Sequence, residues 1–221
     1  CSSPLESAAY AEMTVDTLRE AGIVLHPIEN GWRIPGGQTY TPRTYTVEGD
    51  WSQAAFLLAM GALGGEVTAT GLRPDSRQGD RAIIALLRRF GAEITVRDGA
   101  ITCRRAPLRG IDIDASQIPD LVPILSVLGA AAAGATTIRN AARLRLKESD
   151  RLAAMAQNLR RLGVSVLEQP DGLYIEGQGV FHAPDGPLDG FNDHRIVMSL
   201  SVAALAANGP LTVTDAGSVS K

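Results

Sequence analysis

A chain of 221 residues that is 45% hydrophobic and 20% charged has room for one large globular domain or two small ones, and its composition is that of neither a disordered nor a fibrous protein. The net charge of −3 gives no basis for a nucleic-acid partner or for attraction to an acidic membrane surface. No apolar run approaches the length of a membrane span, and Glu6, Glu12, Asp16 and Arg19 interrupt the amino-terminal region, so neither a signal peptide nor a membrane anchor is expected. Cys1 and Cys103 are too few for a disulfide framework, and a reduced, cytoplasmic setting is expected. The chain opens on cysteine rather than methionine, which suggests an excised or processed product.

In chain order, residues 10–37 read as an amphipathic helix, closing at Ala21-Gly22, followed by a hairpin around Asn30-Gly31. Residues 54–63 are small and apolar with almost no polar face, so they read as a helix buried on all sides. A glycine-led β-branched run, 65–71, follows as a strand. Asp80-Arg81 then opens an amphipathic helix through Leu87-Arg88-Arg89-Phe90, with Gly91 as its C-cap and Asp98-Gly99 as a hairpin turn between two short strands. The same sequence of signals recurs. Residues 121–133 form a second buried helix and 134–140 a second strand, and Asp150-Arg151 opens a helix through Leu159-Arg160-Arg161-Leu162-Gly163 toward a hairpin at Asp171-Gly172. A third buried helix (196–207) and a third strand (209–215) start the pattern again. Leu121, Ile124, Leu128, Val197, Leu200 and Ala204 are expected inside a ring of strands.

The fold class that follows is α/β, built from repeated βαβαββ units of about 70 residues with buried helices. Residues 10–37 supply only the second half of a unit and 192–221 only the first half, so the chain is expected to be a piece of a longer protein or to need pieces from another chain.

Three charged clusters fall at helix starts: Ile118-Pro119-Asp120, Lys147-Glu148-Ser149-Asp150-Arg151 and Asn192-Asp193-His194-Arg195. Exposed N–H groups and the positive end of the helix dipole suit such places to anions, and Lys147, Arg151 and Arg195 would strengthen that for phosphate or carboxylate. Asp120 and Glu148 beside those cations could act as base and acid. Each residue also has a plainer reading. Asp120, Asp150 and Asp193 fit as N-caps, Lys147-Glu148 as a solvated ion pair, His194 as a structural or surface residue, and the paired arginines as the wet faces of their helices. No Walker loop, GxGxxG turn, paired CxxC or HExxH is present.

The run Leu144-Arg145-Leu146-Lys147-Glu148-Ser149-Asp150-Arg151 resembles the R-[VL]-K-E-[ST]-D-R signature of the 5-enolpyruvylshikimate-3-phosphate synthase family. Asn192-Asp193-His194-Arg195, Ile118-Pro119-Asp120, Gly49-Asp50-Trp51-Ser52, Gln78-Gly79-Asp80 and the closing Val219-Ser220-Lys221 are similar to other segments of that family, in order, from about Ser7 onward. The resemblance implies an enolpyruvyl transferase-like inside-out α/β barrel. Residues 1–48 would finish the amino-terminal domain and 49–221 would make the carboxyl-terminal domain without its final segment.

By the same resemblance, the reaction moves the enolpyruvyl group of phosphoenolpyruvate to the 5-hydroxyl of shikimate 3-phosphate and releases phosphate, in chorismate and aromatic amino-acid biosynthesis. Asp120 would face the hydroxyl, and Glu148, with Lys221, would carry the proton at the methylene. Arg151, Arg195 and Lys221 would hold phosphoenolpyruvate, while Ser7, Tyr10, Arg143 and Lys147 would contact shikimate 3-phosphate. No metal or organic cofactor is implied, and the partner would be the amino-terminal half of the same enzyme. Arg143 stands where many relatives carry histidine or asparagine, Ala9 replaces a common proline, and Trp51 is bulky beside Gly49-Asp50. Two other readings remain open: a UDP-N-acetylglucosamine enolpyruvyl transferase relative, which lacks the Lys-Glu-Ser-Asp-Arg run, and a non-catalytic half-molecule that binds shikimate 3-phosphate weakly.

Overall fold

The computed structural model describes residues 5–220. The amino-terminal part is helix α1 (Ala8–Glu20) followed by a two-stranded antiparallel hairpin, β1 (His26–Ile28) and β2 (Gly31–Arg33). Val15, Ile23 and Leu25, with Leu18 and Trp32 against them, form a small hydrophobic cluster separate from the main core. An extended stretch then leads to α2 (Trp51–Gly64).

The rest is built on repeats. Strand β3 (Glu66–Ala69), helix α3 (Ile83–Phe90), β4 (Glu93–Arg97) and β5 (Ala100–Arg104) follow α2, and the strands form a sheet in the order β3-β5-β4. The next unit is complete: β6 (Asp112–Asp114), α4 (Val122–Ala131), β7 (Ala133–Arg139), α5 (Arg151–Arg161), β8 (Ser165–Gln169) and β9 (Gly172–Gln178), in the order β6-β7-β9-β8. Strand β6 runs parallel to β7 because α4 carries the chain back over the sheet, whereas the β8–β9 hairpin adds its strands antiparallel. Helix α6 (His194–Ala203) begins the third unit.

The three apolar helices α2, α4 and α6 pack on one another in the middle, with the sheets outside. In α4 every residue from Val122 to Ala130 is buried, which explains the lack of a polar face in its sequence. Burying Ile124, Leu125, Val127 and Leu128 contributes about 1.5–3 kcal/mol for each side chain. Helix α2 approaches its sheet so closely that a Cβ on Gly61 would lie 2.5 Å from the Cys103 carbonyl oxygen of β5. Helices α3 and α5 are amphipathic, with Arg88, Arg89 and Arg160 on their exposed sides. No helix among the described residues is long and apolar enough to cross a membrane.

Four details differ from the sequence expectation. Residues 209–215 make only isolated parallel bridges, Leu188 with Val213 and Phe181 with Ala207 nearby, because no antiparallel hairpin lies on their other side among the described residues. Ala204 is exposed: α6 ends at Ala203 and tightens into the 3-10 turn Ala204–Ala206, which swings the next side chain off the buried face. At the second hairpin the turn residues are Pro170-Asp171, with Gly172 already paired to Gln169, and at the amino-terminal hairpin they are Glu29-Asn30. Only Asp98-Gly99 sits at the tip with both φ angles positive, the backbone a tight two-residue hairpin favours.

Candidate active site

Three helix starts converge at one end of the buried trio. Asp50 caps α2 by accepting the Ser52 N–H at 2.7 Å, and Asp193 caps α6 by accepting the Arg195 N–H at 2.9 Å. Asp150 caps α5 through the Ala153 N–H at 3.0 Å. Its second oxygen takes Arg145 Nη1 at 2.8 Å, and the same arginine reaches Glu168 and the carbonyls of Gln169 and Pro170. Arg145 therefore ties the loop carrying Lys147 and Glu148 to the β8–β9 hairpin. Asp120 is no cap. It lies inside the 3-10 turn Pro119–Leu121, where no side chain caps the helix, and its carboxylate turns toward cations.

The hub is Arg151, only 1% exposed. Its Nε donates to Asp193 Oδ2 at 2.8 Å, Nη1 to Asp120 Oδ1 at 2.9 Å, and Nη2 to Glu148 Oε2 at 2.6 Å and Asp193 Oδ1 at 3.2 Å. One guanidinium thus serves three carboxylates from three chain segments, a fork that lysine could not reproduce. Lys147 Nζ lies 3.3 Å from Asp120 Oδ1 and Arg195 Nη2 3.6 Å from Asp120 Oδ2, while Arg195 Nη1 donates to the Asp120 carbonyl at 3.3 Å. Lys147 and Glu148 each pair with this cluster, Lys147 through Asp120 and Glu148 through Arg151.

Burial alone would raise the Asp120 carboxyl, but Arg195, Lys147 and Arg151 outweigh it and hold the group below the ordinary carboxylate range. For Asp193, burial is likewise overcome, here by the hydrogen bonds and charge of Arg151 and by the Arg195 and Ser149 donors. Beneath them, Asp80 behaves in the opposite way: burial pushes its carboxyl up, and the Asp120 and Asp50 charges add to the shift.

A groove of about 430 Å³ opens beside the cluster, lined by Tyr10, Asp50, Ser52, Gln78, Asp120 and Arg195. Tyr10 comes from α1, so the amino-terminal segment forms one wall. Ser7 stands at the start of α1 with a left-handed backbone (φ 53°), uncommon for a non-glycine residue, and makes no capping bond. Its Oγ accepts Arg143 Nη1 at 3.2 Å, and Arg143 Nε also lies 3.2 Å from Glu6. Asp120, Lys147, Glu148, Arg151 and Arg195 are thus in one contact network, Tyr10 shares the groove with Asp120 and Arg195, and Ser7 pairs with Arg143. Lys221 lies outside the described residues. A larger groove of about 780 Å³ sits at the opposite ends of α2, α4 and α6, and Arg105 is the charged side chain in its lining. Among the described residues no group of three or more His, Cys, Asp or Glu side chains converges as a metal-binding set.

The sequence marks Asp193 only as a helix cap and assigns no chemistry to Arg145, Ser52 or Asp80; the nearest signals for the last two are the segments Gly49-Asp50-Trp51-Ser52 and Gln78-Gly79-Asp80.

The chain resembles known proteins along nearly its whole length. A family profile described as EPSP synthase (3-phosphoshikimate 1-carboxyvinyltransferase) matches residues 2–221. Curated relatives named 3-phosphoshikimate 1-carboxyvinyltransferase include one from Methanothrix thermoacetophila, 49% identical over 217 residues, and one from Clostridium novyi, 43% identical over 220 residues. These alignments take in 97% and 98% of this chain but 50% of each relative, so the chain spans about half their length. Among solved structures, EPSP synthase from Acinetobacter baumannii superposes with a TM-score of 0.82 at 29% identity, covering 94% of this chain and 51% of that one. The enolpyruvyl transferase NikO from Streptomyces tendae gives 0.77 at 24% identity over 94% of this chain and 49% of that one, a likeness of fold alone. With the profile spanning nearly every residue and the repeats superposing on a solved member, the chain belongs to the EPSP synthase family.

Proposed function

We propose that this chain is one half of an enzyme that transfers the enolpyruvyl group of phosphoenolpyruvate to the 5-hydroxyl of shikimate 3-phosphate, with release of phosphate, in aromatic amino-acid biosynthesis. Residues 1–48 complete an amino-terminal domain and 49–221 form most of the carboxyl-terminal one; the separate clustering of Val15, Ile23 and Leu25 supports that division. The missing amino-terminal half is the partner, and a cytoplasmic setting fits a biosynthetic enzyme of this kind. The observation that carries the reading is the convergence of Asp120 and Glu148 on the buried Arg151, with Arg195 bound to Asp120, beside an open groove.

In this reading the substrate hydroxyl hydrogen-bonds to Asp120, ionised at neutral pH by its cationic neighbours. As the oxygen attacks C2 of phosphoenolpyruvate it acidifies, and its proton passes to the carboxylate while the methylene carbon gains a proton from Glu148. The tetrahedral intermediate then returns a methyl proton to Glu148, assisted by Lys221, and expels phosphate as the C–O bond breaks; the proton held by Asp120 leaves with the phosphate and restores the carboxylate. Arg195, with Lys221, neutralises the carboxylate and phosphate of phosphoenolpyruvate. Arg151 contributes to the same field while orienting Asp120 and Glu148. Ser7, Tyr10, Arg143 and Lys147 hold shikimate 3-phosphate. Glu148, with its side chain 51% exposed, is open enough to reach a substrate.

Positioning is a large share of catalysis, and half of the binding surface belongs to the absent domain, so the chain alone should show no measurable turnover. Mixing it with the amino-terminal half should restore phosphate release that depends on both substrates. Robust turnover by the chain alone, or none after mixing with a folded partner half, would count against the reading.

A further inference from the structure

Helix α1 is capped from outside itself. Ser7 occupies its N-cap position, where a serine ordinarily takes an extended backbone and accepts a first-turn N–H on its own hydroxyl. Here Ser7 is left-handed (φ 53°, ψ 41°) and its side chain makes no such bond. The Ala8 N–H goes instead to Gln117 Oε1 at 2.9 Å, 109 residues along the chain, and Nε2 of the same amide donates to the Leu5 carbonyl at 3.2 Å. The Ser7 N–H adds a longer bond to the Ser116 carbonyl at 3.4 Å. One side chain therefore straddles Ser7 and holds the turn on both sides of it.

The loop that carries Gln117 is itself fixed. Asp114 Oδ1 accepts the Ser116 N–H at 2.9 Å, its Oδ2 accepts Asn140 Nδ2 at 3.0 Å, and the Ile118 N–H closes on the Ala115 carbonyl at 3.1 Å. Pro119 and Asp120 follow directly, so one short loop places both Asp120 and Ser7. Gly79 lets α1 come this near: a Cβ there would sit 3.0 Å from the Gln117 carbonyl oxygen and 3.5 Å from the Ala9 Cβ. A left-handed serine is disfavoured and has to be held in place. Gln117 is exposed, so its bonds compete with water and add little to stability. What they achieve is placement. The Ser7 hydroxyl, relieved of capping, accepts Arg143 Nη1 at 3.2 Å and keeps its own proton to donate.

We propose that Gln117 is a positioning residue: it caps α1 in place of Ser7 and so turns the Ser7 hydroxyl out as a donor beside the Arg143 guanidinium, a pair that fits an anionic oxygen of the ligand. Gln117 touches no ligand itself. The inference rests on the proposed function only in making shikimate 3-phosphate that ligand.

The test has two arms. Gln117→Met keeps the length of the side chain and removes both of its hydrogen bonds. In the enzyme reconstituted from both halves it should raise KM for shikimate 3-phosphate about 5-fold, the worth of one hydrogen bond, with kcat changed less than about twofold and KM for phosphoenolpyruvate unmoved. In a Ser7→Ala background Gln117→Met should add nothing further, because the hydroxyl it places is gone. A KM within about twofold of wild type, or an effect that persists undiminished in Ser7→Ala, would overturn the positioning role. The second arm needs no turnover, so it separates a wrong reaction from a wrong cap. In the chain itself, labelled with 13C and 15N, the Ser7 Cα and Cβ shifts should report a left-handed backbone. In Gln117→Met they should move to extended values as Ser7 takes over its own cap, and the Ala8 amide should exchange with solvent about 5-fold faster or more. Gln117→Glu, which keeps the acceptor for the Ala8 N–H, should hold Ser7 left-handed. A left-handed Ser7 in Gln117→Met, or an extended one in the wild-type chain, would overturn the inference.

Discussion

Replacing Arg151 with methionine keeps most of the side-chain bulk and removes the charge around which the site is organised. Four hydrogen bonds are lost, and two of them end on Asp193, whose side chain is fully buried. Asp193 retains the Ser149 hydroxyl at 2.9 Å and the Arg195 N–H at 2.9 Å, but among the described residues it keeps no lysine or arginine ion pair, and the His194 ring lies 3.9 Å away. Glu148 is half exposed and loses little, while Asp120 keeps Lys147 and Arg195. The cost is therefore concentrated on Asp193, and removing one partner of a buried pair costs about 3–5 kcal/mol, a large part of a typical domain's stability.

The pH dependence separates this cause from lost packing. In the wild-type chain Asp120 and Asp193 are held below their unfolded values, so they contribute stability present above about pH 4 and lost as the pH falls through their folded values. Without Arg151, burial leaves the Asp193 carboxyl above its unfolded value, and the sign for that group reverses: protonation on acidification favours the folded form. The deficit of Arg151→Met relative to wild type should be largest near about pH 7 and shrink toward about pH 5. Urea unfolding followed by the fluorescence of buried Trp51 would measure it. A loss below about 1 kcal/mol near neutrality, or one independent of pH over that range, would refute the argument that Arg151 compensates a buried carboxylate.

Other substitutions separate chemistry from structure. In the reconstituted enzyme Glu148→Gln should lower turnover about 100-fold or more with little change in substrate binding, if Glu148 carries a proton; a loss worth under about 1 kcal/mol would return it to the status of an ion-pair partner. Arg195→Ala should instead raise KM for phosphoenolpyruvate, read from initial rates at saturating shikimate 3-phosphate; equal, mild effects from the two changes would point to structural roles for both. Gly61→Ala would place a methyl group 2.5 Å from the Cys103 carbonyl oxygen and should cost about 1–3 kcal/mol in urea unfolding, with no effect on residues at the site. A neutral Gly61→Ala would show that α2 can shift off its sheet without penalty.

Much of this molecule is local in origin and so could be read from the sequence. Helix and strand differ in hydrophobic period, and a helix without a polar face, such as Val122–Ala131, has to be enclosed, so the units and their buried helices follow from pattern and composition. The Asp-Gly hairpin tip and the Asp150 and Asp193 caps are equally local, since each depends on the backbone within a few residues. Asp120 has the same look in sequence but a different fate: the following Pro123 has no N–H and the Val122 N–H is taken by the Pro119 carbonyl, which leaves the carboxylate to Arg151 and Lys147. The pairing of residues 209–215 and the outward turn of Ala204 depend on which neighbours stand beside them, and no local pattern carries that information. The convergences that make the site lie further still from local pattern. Arg151 meets Asp120 across 31 residues and Asp193 across 42, and Ser52 meets Asp80 across 28, because three helix starts are brought side by side by the packing of α2, α4 and α6. Which segments become helix or strand, and which helix ends carry charge, is written in the local pattern; which of those charges end up buried together is settled on folding, since burial and pairing are properties of neighbours that the chain acquires only then.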